Sequence, residues 1–117
     1  MISTFELSNH VVGLIIDKDI EEGSLEEVHR IILERISEFG KINIFCEIAP
    51  NKNIPFKCFL EELKFKYENS KSIDKFAIVT DLTWLRAAMN INDLLVNTHI
   101  RPFKIKDRLE AIQWISE

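Results

Sequence analysis

Apolar and polar positions alternate at the start of the chain and then give way to an apolar run. Phe5 and Leu7 stand between polar neighbours, whereas residues 11–16 read VVGLII. Alternation is typical of a strand with one buried face, and a short continuous run is typical of a strand buried on both faces. The polar residues 8–10 between them favour a tight turn. The first two elements are therefore predicted to form a β-hairpin.

Two longer segments repeat their apolar residues every three or four positions, which is the period of an α-helix. The first segment spans residues 24–39, and its stripe is formed by Leu25, Val28, Ile31, Ile32, Ile36 and Phe39. Ser24 and Glu27 have the spacing of a capping box, and Gly40 suits the end of a helix. The second segment begins at Pro55, and its predicted stripe is formed by Phe56, Phe59, Leu60, Leu63 and Tyr67.

Short apolar runs at residues 42–49, 76–79 and 99–105 predict three further strands. A helix from Thr83 through Leu94 and Leu95 to Asn97, and another after Asp107, complete the order ββαβαβαβα. This order predicts an α/β fold: one domain over residues 1–117, with a mixed, mostly parallel five-stranded sheet and four main helices. The first strand is expected to be antiparallel at one side. Pro102 indicates that the last strand is at an edge, because proline cannot donate a ladder hydrogen bond.

Composition narrows the class of protein. A chain of 117 residues suits one domain, and its net charge of -4, from 19 acidic and 15 basic residues, disfavours nucleic-acid binding. The chain shows neither a targeting segment nor an apolar run long enough for a transmembrane span, so we expect a cytoplasmic protein. Cys46 and Cys58 lie in apolar or helical surroundings and are expected to be buried thiols.

Recognisable catalytic motifs are missing from the sequence. His10, His29 and His99 are not spaced as metal ligands, and three glycines cannot supply a nucleotide-binding or phosphate loop. The adjacent carboxylates Glu61 and Glu62 point to different faces of a helix and do not form an acid/base pair. We therefore predict no enzyme activity, no catalytic residues, no metal and no cofactor.

Two loops are the best location for a binding site, because open α/β sheets bind ligands beyond the carboxyl ends of their strands. The first loop contributes Asn51, Lys52 and Asn53, followed by Phe56, and the second contributes Thr80, Asp81 and Trp84. Amides and an ammonium near a helix start could hold an anion, and tryptophan is favoured at interface centres. The alternatives are an ordinary solvated turn for the asparagines and simple packing for Trp84.

The segment FAIVTD at residues 76–81 with Trp84 shortly after, the closing segment FKIKDRLEAIQWI at residues 103–115, and ELKFK at residues 62–66 resemble the SpoIIAA-like family of small bacterial proteins. The resemblance extends from residue 12 to the end of the chain. It implies a STAS-type fold, some kinship with lipid-binding domains, and no enzyme activity. It also implies a regulatory partner, with a phosphorylated Ser or Thr at the start of the helix after the third strand.

This chain departs from that pattern, since residues 50–57 read PNKNIPFK and contain no hydroxyl group. A phosphorylation switch in this loop is therefore not expected. The resulting hypothesis is a noncatalytic STAS-like module that binds an unknown protein partner or a small apolar or anionic ligand at the rim, which is the end of the sheet where these two loops lie. The alternative is a lipid or acyl-chain carrier with an apolar cavity near Phe56, Phe59 and Phe65. Unpaired sheet edges leave homo-oligomerisation open.

Overall fold

The computed structural model describes residues 2–21, 23–92 and 98–117 and has the predicted order of elements. The strands are β1 (Ile2–Ser8), β2 (Val11–Ile16), β3 (Ile42–Ile48), β4 (Ile73–Val79) and β5 (His99–Phe103). The helices are α1 (Ser24–Phe39), α2 (Phe56–Glu68), α3 (Thr83–Asn92) and α4 (Arg108–Ser116), with a 3₁₀ turn at Ile105–Asp107. The predicted continuation of α3 through Leu94 and Leu95 to Asn97 lies outside the described residues.

The five strands are arranged in the sheet in the same order as in the chain. β1 pairs antiparallel with β2, and β2 to β5 are mutually parallel. Right-handed crossovers between parallel strands that advance in one direction place every connecting helix on the same face. Accordingly α1, α2 and α3 share one apolar core with that face, while α4 packs on the other. The predicted α/β fold, the antiparallel first strand and the edge position of Pro102 in β5 are confirmed.

The hairpin depends on a close approach at Gly13. Gly13 is paired with Phe5 across the two strands, and a β-carbon at position 13 would lie 2.6 Å from the Phe5 ring. Phe5 in turn meets Phe45 edge-on, with ring centroids 5.8 Å apart. Only glycine leaves room for this ring over the strand, so the apparent gap in the VVGLII run is a packing requirement.

Helix α1 has the predicted bounds and buries the predicted stripe through Leu25, Val28 and Ile32. The predicted capping box is wrong. The chain enters the helix through Gly23 in a left-handed conformation, with φ 89°, so Ser24 is already helical. The Ser24 hydroxyl oxygen therefore accepts a hydrogen bond from the backbone N–H of Glu21 at 3.1 Å, behind the helix rather than inside its first turn.

Helix α2 buries a different face from the predicted one. The predicted stripe faces solvent at Phe56, Leu60 and Tyr67, which are 64%, 48% and 68% exposed. Phe59 of the predicted stripe is buried, but the other buried side chains are Cys58, Glu62 and Lys66, which the stripe does not include. At 100° per residue, the buried face lies about 120° around the helix from the three exposed members of the stripe. The preceding Ile54 is buried in the core, and this anchor helps to set which face of α2 meets the sheet.

Helix α4 is fastened to the opposite face of the sheet by polar as well as apolar contacts. Ala111 and Ile115 are completely buried there, and the Asn43 side-chain amide donates to the carbonyl oxygen of Ile115 at 3.0 Å. Asp107 is the N-cap residue, but its side chain makes no capping hydrogen bond within the described residues. Leu109, the second residue of α4, is 80% exposed.

Candidate functional site

The two predicted loops meet at the carboxyl ends of β3 and β4. A surface concavity of about 190 Å³ lies between them, and we call it the rim concavity. Its walls are formed by Ala49, Pro50, Asn51, Lys52, Thr80, Asp81 and Leu82. Four of the seven predicted site residues thus line one depression, whereas Asn53, Phe56 and Trp84 lie outside its lining.

The β4 side of the rim concavity is held by its own hydrogen bonds. Thr80 is buried, and its hydroxyl oxygen accepts a hydrogen bond from the Leu82 N–H at 3.1 Å, which turns the chain towards α3. The Thr80 carbonyl oxygen accepts from the Arg86 guanidinium at 2.8 Å. The Asp81 carboxylate accepts from the N–H of Ile105 at 3.1 Å. These polar groups stabilise the loop, which gives the concavity a defined wall.

On the β3 side of the rim concavity, the chain makes a turn whose backbone is stabilised by Asn51 and Asn53. Asn51 has φ 66°, a left-handed conformation that asparagine tolerates better than most residues. The Asn53 side-chain oxygen accepts from the Ile54 N–H at 2.9 Å, and the Asn53 N–H donates to the Asp19 carboxylate at 3.1 Å. The half-buried Lys52 contributes the cationic side chain of the concavity.

Beside the rim concavity, α2 and α3 begin with a cluster of three rings, which we call the aromatic edge: Phe56, Phe59 and Trp84. Phe59 is buried, and Trp84 meets it edge-on with centroids 5.5 Å apart. Phe56 and Trp84 are 64% and 39% exposed, and their centroids are 6.5 Å apart. Two of the predicted site residues therefore form a continuous apolar surface at the rim.

A second feature, which the sequence did not reveal, is a small cavity in the core between α1, α2, α3 and the sheet. Its volume is about 30 Å³, and its lining is apolar apart from Cys46, Glu62 and Lys66. The Lys66 side chain is completely buried. Its Nζ lies 4.1 Å from the centre of the Phe76 ring, 3.8 Å from the Met89 sulfur and 3.8 Å from the Glu62 Oε1.

Glu62 connects this buried lysine to the surface of α1. The Glu62 Oε2 lies 2.7 Å from Nε2 of His29, whose ring stacks on Phe65 with centroids 3.8 Å apart. The pKa of Lys66 is lowered because burial disfavours the ammonium more than Glu62 stabilises it. Burial would raise the pKa of Glu62, but Lys66 and the His29 hydrogen bond outweigh it and lower that pKa. Burial raises the pKa of Cys46 to about 12.

The spacing of Glu62 and Lys66 explains why the sequence did not mark them. A Glu and a Lys four residues apart on a helix are the commonest pattern of an exposed ion pair. Burial of this pair depends on His29, which is 33 residues away from Glu62 in the chain. A local pattern carries no information about such a partner.

Glu47 is a third buried charge, located on β3 near the rim. It is 4% exposed, and its two carboxylate oxygens accept from Nε and Nη2 of Arg108 at 2.5 and 2.8 Å. This bidentate contact fixes the start of α4 to the end of β3. The hydrogen bond to Glu47 raises the pKa of Arg108. The pair joins two elements of the fold, and Glu47 does not line the rim concavity.

Residues 2–21, 23–92 and 98–117 contain no group of three or more His, Cys, Asp or Glu side chains that could hold a metal ion. Within these ranges every helix is too short or too polar to cross a bilayer. Cys46 and Cys58 are both buried, as predicted.

A parallel sheet wound in one direction, with an antiparallel strand at one edge and three helices on one face, places the protein among α/β domains of the STAS type. Residues 11–116 match the SpoIIAA-like family, and the chain belongs to this family. The predicted resemblance and fold are confirmed.

Among solved structures, the chain is similar to an uncharacterized protein from the DUF3478 family with a SpoIIAA-like fold, from Shewanella loihica PV-4. The two are 12% identical with a TM-score of 0.69, and the likeness covers 98% of this chain and 92% of that one. At this identity the likeness shows the fold alone. No curated protein matches the chain.

Proposed function

We propose that the protein is a noncatalytic, regulatory STAS-type module that docks a partner protein on the aromatic edge and the rim concavity. The observation that carries this proposal is the exposure of Phe56 and Trp84, 64% and 39%, with ring centroids 6.5 Å apart. Contiguous exposed apolar surface is typical of interaction sites. Aromatic residues, tryptophan above all, are enriched at the energetic centres of protein interfaces.

The size of the rim concavity favours a protein over a free small molecule. Pockets that bind drug-sized ligands have volumes of roughly 300–1,000 Å³, whereas this concavity has about 190 Å³. It suits one side chain that a partner inserts next to the aromatic edge. Lys52 would favour a partner side chain with a carboxylate, and the hydrogen bonds of Thr80 and Asp81 keep the opposite wall in place before binding.

The loop beside this surface has no hydroxyl group between Pro50 and Lys57, so binding there would not be switched by phosphorylation of the loop. We propose instead that occupancy follows the concentration of the partner. The two buried thiols, Cys46 and Cys58, fit a reducing compartment and support a cytoplasmic location.

The test begins with capture of partners on immobilised wild-type protein, followed by calorimetry with the purified partner. Phe56→Ser and Trp84→Ser should each weaken binding at least tenfold, because a hot-spot residue contributes about 2 kcal/mol or more. Leu109→Ser is the matched control: Leu109 is 80% exposed but belongs to α4, on the other face of the sheet. Wild-type affinity in both aromatic variants would refute the proposal, and unchanged melting temperatures would exclude unfolding as the cause of any loss.

The alternative of a lipid or acyl-chain carrier has one supporting observation, the apolar core cavity with Phe59 in its lining. Phe56 and Phe65 are not part of that lining. A volume of about 30 Å³ is far below the roughly 150 Å³ that holds one benzene ring. Acyl binding would require α2 to move away from the sheet. Titration with a fluorescent fatty acid checks this, and saturable binding that Phe59→Trp abolishes would support the carrier.

A further inference from the structure

We propose that the core cavity is a covalent capture site for a one- or two-carbon aldehyde, which forms a reversible imine with the side-chain nitrogen of Lys66. The proposal is independent of the rim and the aromatic edge. The Lys66 nitrogen is completely buried, and its neighbours Glu62, Phe76 and Met89 line one cavity together with Lys66 itself.

The Lys66 nitrogen has weak hydrogen-bond and ion-pair partners among the described residues. In the described part of the chain its hydrogen-bond acceptor is the Met89 sulfur, at 3.8 Å, and sulfur is a weak acceptor. The Glu62 Oε1 at 3.8 Å is within ion-pair range but beyond a normal hydrogen bond. An aromatic face at 4.1 Å completes the surroundings. Among the described residues the nitrogen therefore has one carboxylate oxygen in ion-pair range but no oxygen at a normal hydrogen-bond distance.

The same surroundings make the amine reactive. Burial lowers the pKa of Lys66, so a larger fraction of this side chain is neutral at neutral pH than of a surface lysine. Cys46, the other nucleophilic side chain of the lining, has its pKa raised by burial to about 12 and stays a thiol. The nitrogen of Lys66 is therefore the nucleophile of this cavity.

The chemistry balances with groups that are present. The Lys66 nitrogen lone pair adds to the carbonyl carbon, and a proton moves from the nitrogen to the carbonyl oxygen to give a carbinolamine. The C–O bond then breaks, the hydroxyl leaves as water with one further proton, and a C=N bond replaces the C=O bond. Glu62 is placed to take the proton from the nitrogen and return it to the departing hydroxyl, and His29 links Glu62 to the protein surface.

The volume limits the ligand. A cavity of about 30 Å³ accommodates about one or two water molecules. That is comparable with the methyl group of acetaldehyde after imine formation. Longer aldehydes would have to displace α2 or the side chains of Phe59 and Met89.

Two measurements test the capture site on the folded full-length chain. The first is reaction with acetaldehyde and cyanoborohydride at about pH 7, followed by peptide mapping of the ethylated lysines. Lys66 should be ethylated faster than the exposed Lys64 and Lys71, because its lowered pKa leaves a larger fraction of its side chain neutral. Ethylation of Lys66 no faster than Lys64 counts against the proposal unless the reductant is excluded from the core.

The second measurement needs no reductant and so removes that exception. Isotopically labelled acetaldehyde is added, and carbon NMR is recorded for the wild type, Lys66→Met and Lys64→Met. An imine signal should be present in the wild type and in Lys64→Met and absent from Lys66→Met. A wild-type spectrum without the signal, or the same signal in Lys66→Met, overturns the proposal. Melting curves of the two variants confirm that both are folded.

Discussion

Helices α1 and α2 are neighbours on one face of the sheet, but they bury different kinds of side chain. α1 contributes Leu25, Val28 and Ile32, and burial of each such aliphatic side chain is worth about 1.5–3 kcal/mol. α2 contributes Cys58 and Phe59 but also the charged pair of Glu62 and Lys66. Desolvation of a charged pair costs several kcal/mol per ion, and mutual attraction returns only part of it.

The buried face of α1 is aliphatic, and the helix makes a polar contact with α2 between His29 and Glu62. α2 gives up part of the hydrophobic stabilisation, keeps Phe56, Leu60 and Tyr67 at the surface, and places two ionisable groups beside a cavity. Such a helix is a reasonable carrier of function, because local rules of stability are most often broken at functional sites.

The largest change in the free energy of unfolding is expected for the buried apolar face of α1. Ile32→Ala should lower the free energy of unfolding by about 2–5 kcal/mol, since Ile32 is buried on α1 and its truncation leaves a void. Leu33→Ala, at the adjacent and exposed position, is the control and should change it by about 0.5 kcal/mol or less. Chemical denaturation measures both, and equal losses would show that α1 does not present this face to the sheet.

The next effect tests the charged pair on α2. Glu62→Leu combined with Lys66→Met replaces both ions by apolar groups and should leave stability unchanged or raise it by about 1–4 kcal/mol. Glu62→Leu alone should be destabilising, because it leaves the buried nitrogen of Lys66 without its carboxylate. Denaturant titration of the three proteins checks this. A double variant less stable than the wild type would mean that the pair stabilises the fold on balance.

The pH dependence of stability tests the lowered pKa of Lys66. The folded pKa of Lys66 is below its unfolded value of about 10.4 because of burial, so between these values the unfolded chain binds more protons and stability rises with pH. Within that interval, wild type should gain stability relative to Lys66→Met as the pH rises, by at most about 1.4 kcal/mol per pH unit for the Lys66 proton. Lys66→Met also removes the charge that lowers the pKa of Glu62 and Cys46, which face Lys66, and the resulting rise of both pKa values acts in the same direction. Lys64→Met should follow the wild type, and a constant difference for Lys66→Met would contradict the lowered pKa.

The smallest expected effect concerns the outer face of α2. Leu60→Ala and Tyr67→Gln should each change the free energy of unfolding by about 0.5 kcal/mol or less, because both side chains are largely in solvent. Calorimetric thermal melts measure these changes, and Ile32→Ala provides the large effect for comparison. Losses of several kcal/mol would mean that Leu60 and Tyr67 pack against the sheet, and α2 would then bury its apolar stripe as α1 does.

The sequence predicted those features that depend on neighbours along the chain. The central strand β3 was recognisable from the short apolar run at residues 42–49, and the structure buries all of its side chains. Helix α1 was recognisable because its apolar positions cluster on one side. The side of α2 that faces the core was mispredicted, since apolar residues occur all around this helix and local periodicity favoured the wrong face. Thr80, Asp81 and Asn51 were located correctly at the rim, but their hydrogen bonds could not be read from the sequence.

The buried charges could not have been predicted for a related reason. Glu47 is stabilised by Arg108, 61 residues later, and Glu62 by His29, 33 residues earlier. Each charge looks like a surface residue until its distant partner is in place. Long-range pairing, rather than residue type, decides whether a charged side chain in this protein is inside or outside.

The position of α4 in the chain has a consequence during synthesis. α4 covers the face of the sheet formed by Val11, Phe45, Ala77 and Val79, and it follows all five strands in the sequence. The strands therefore emerge from the ribosome before the covering helix does, and the apolar surface that they expose until then is prone to association with other chains. The Glu47–Arg108 contact ends this exposure, because it binds the first residue of α4 to β3.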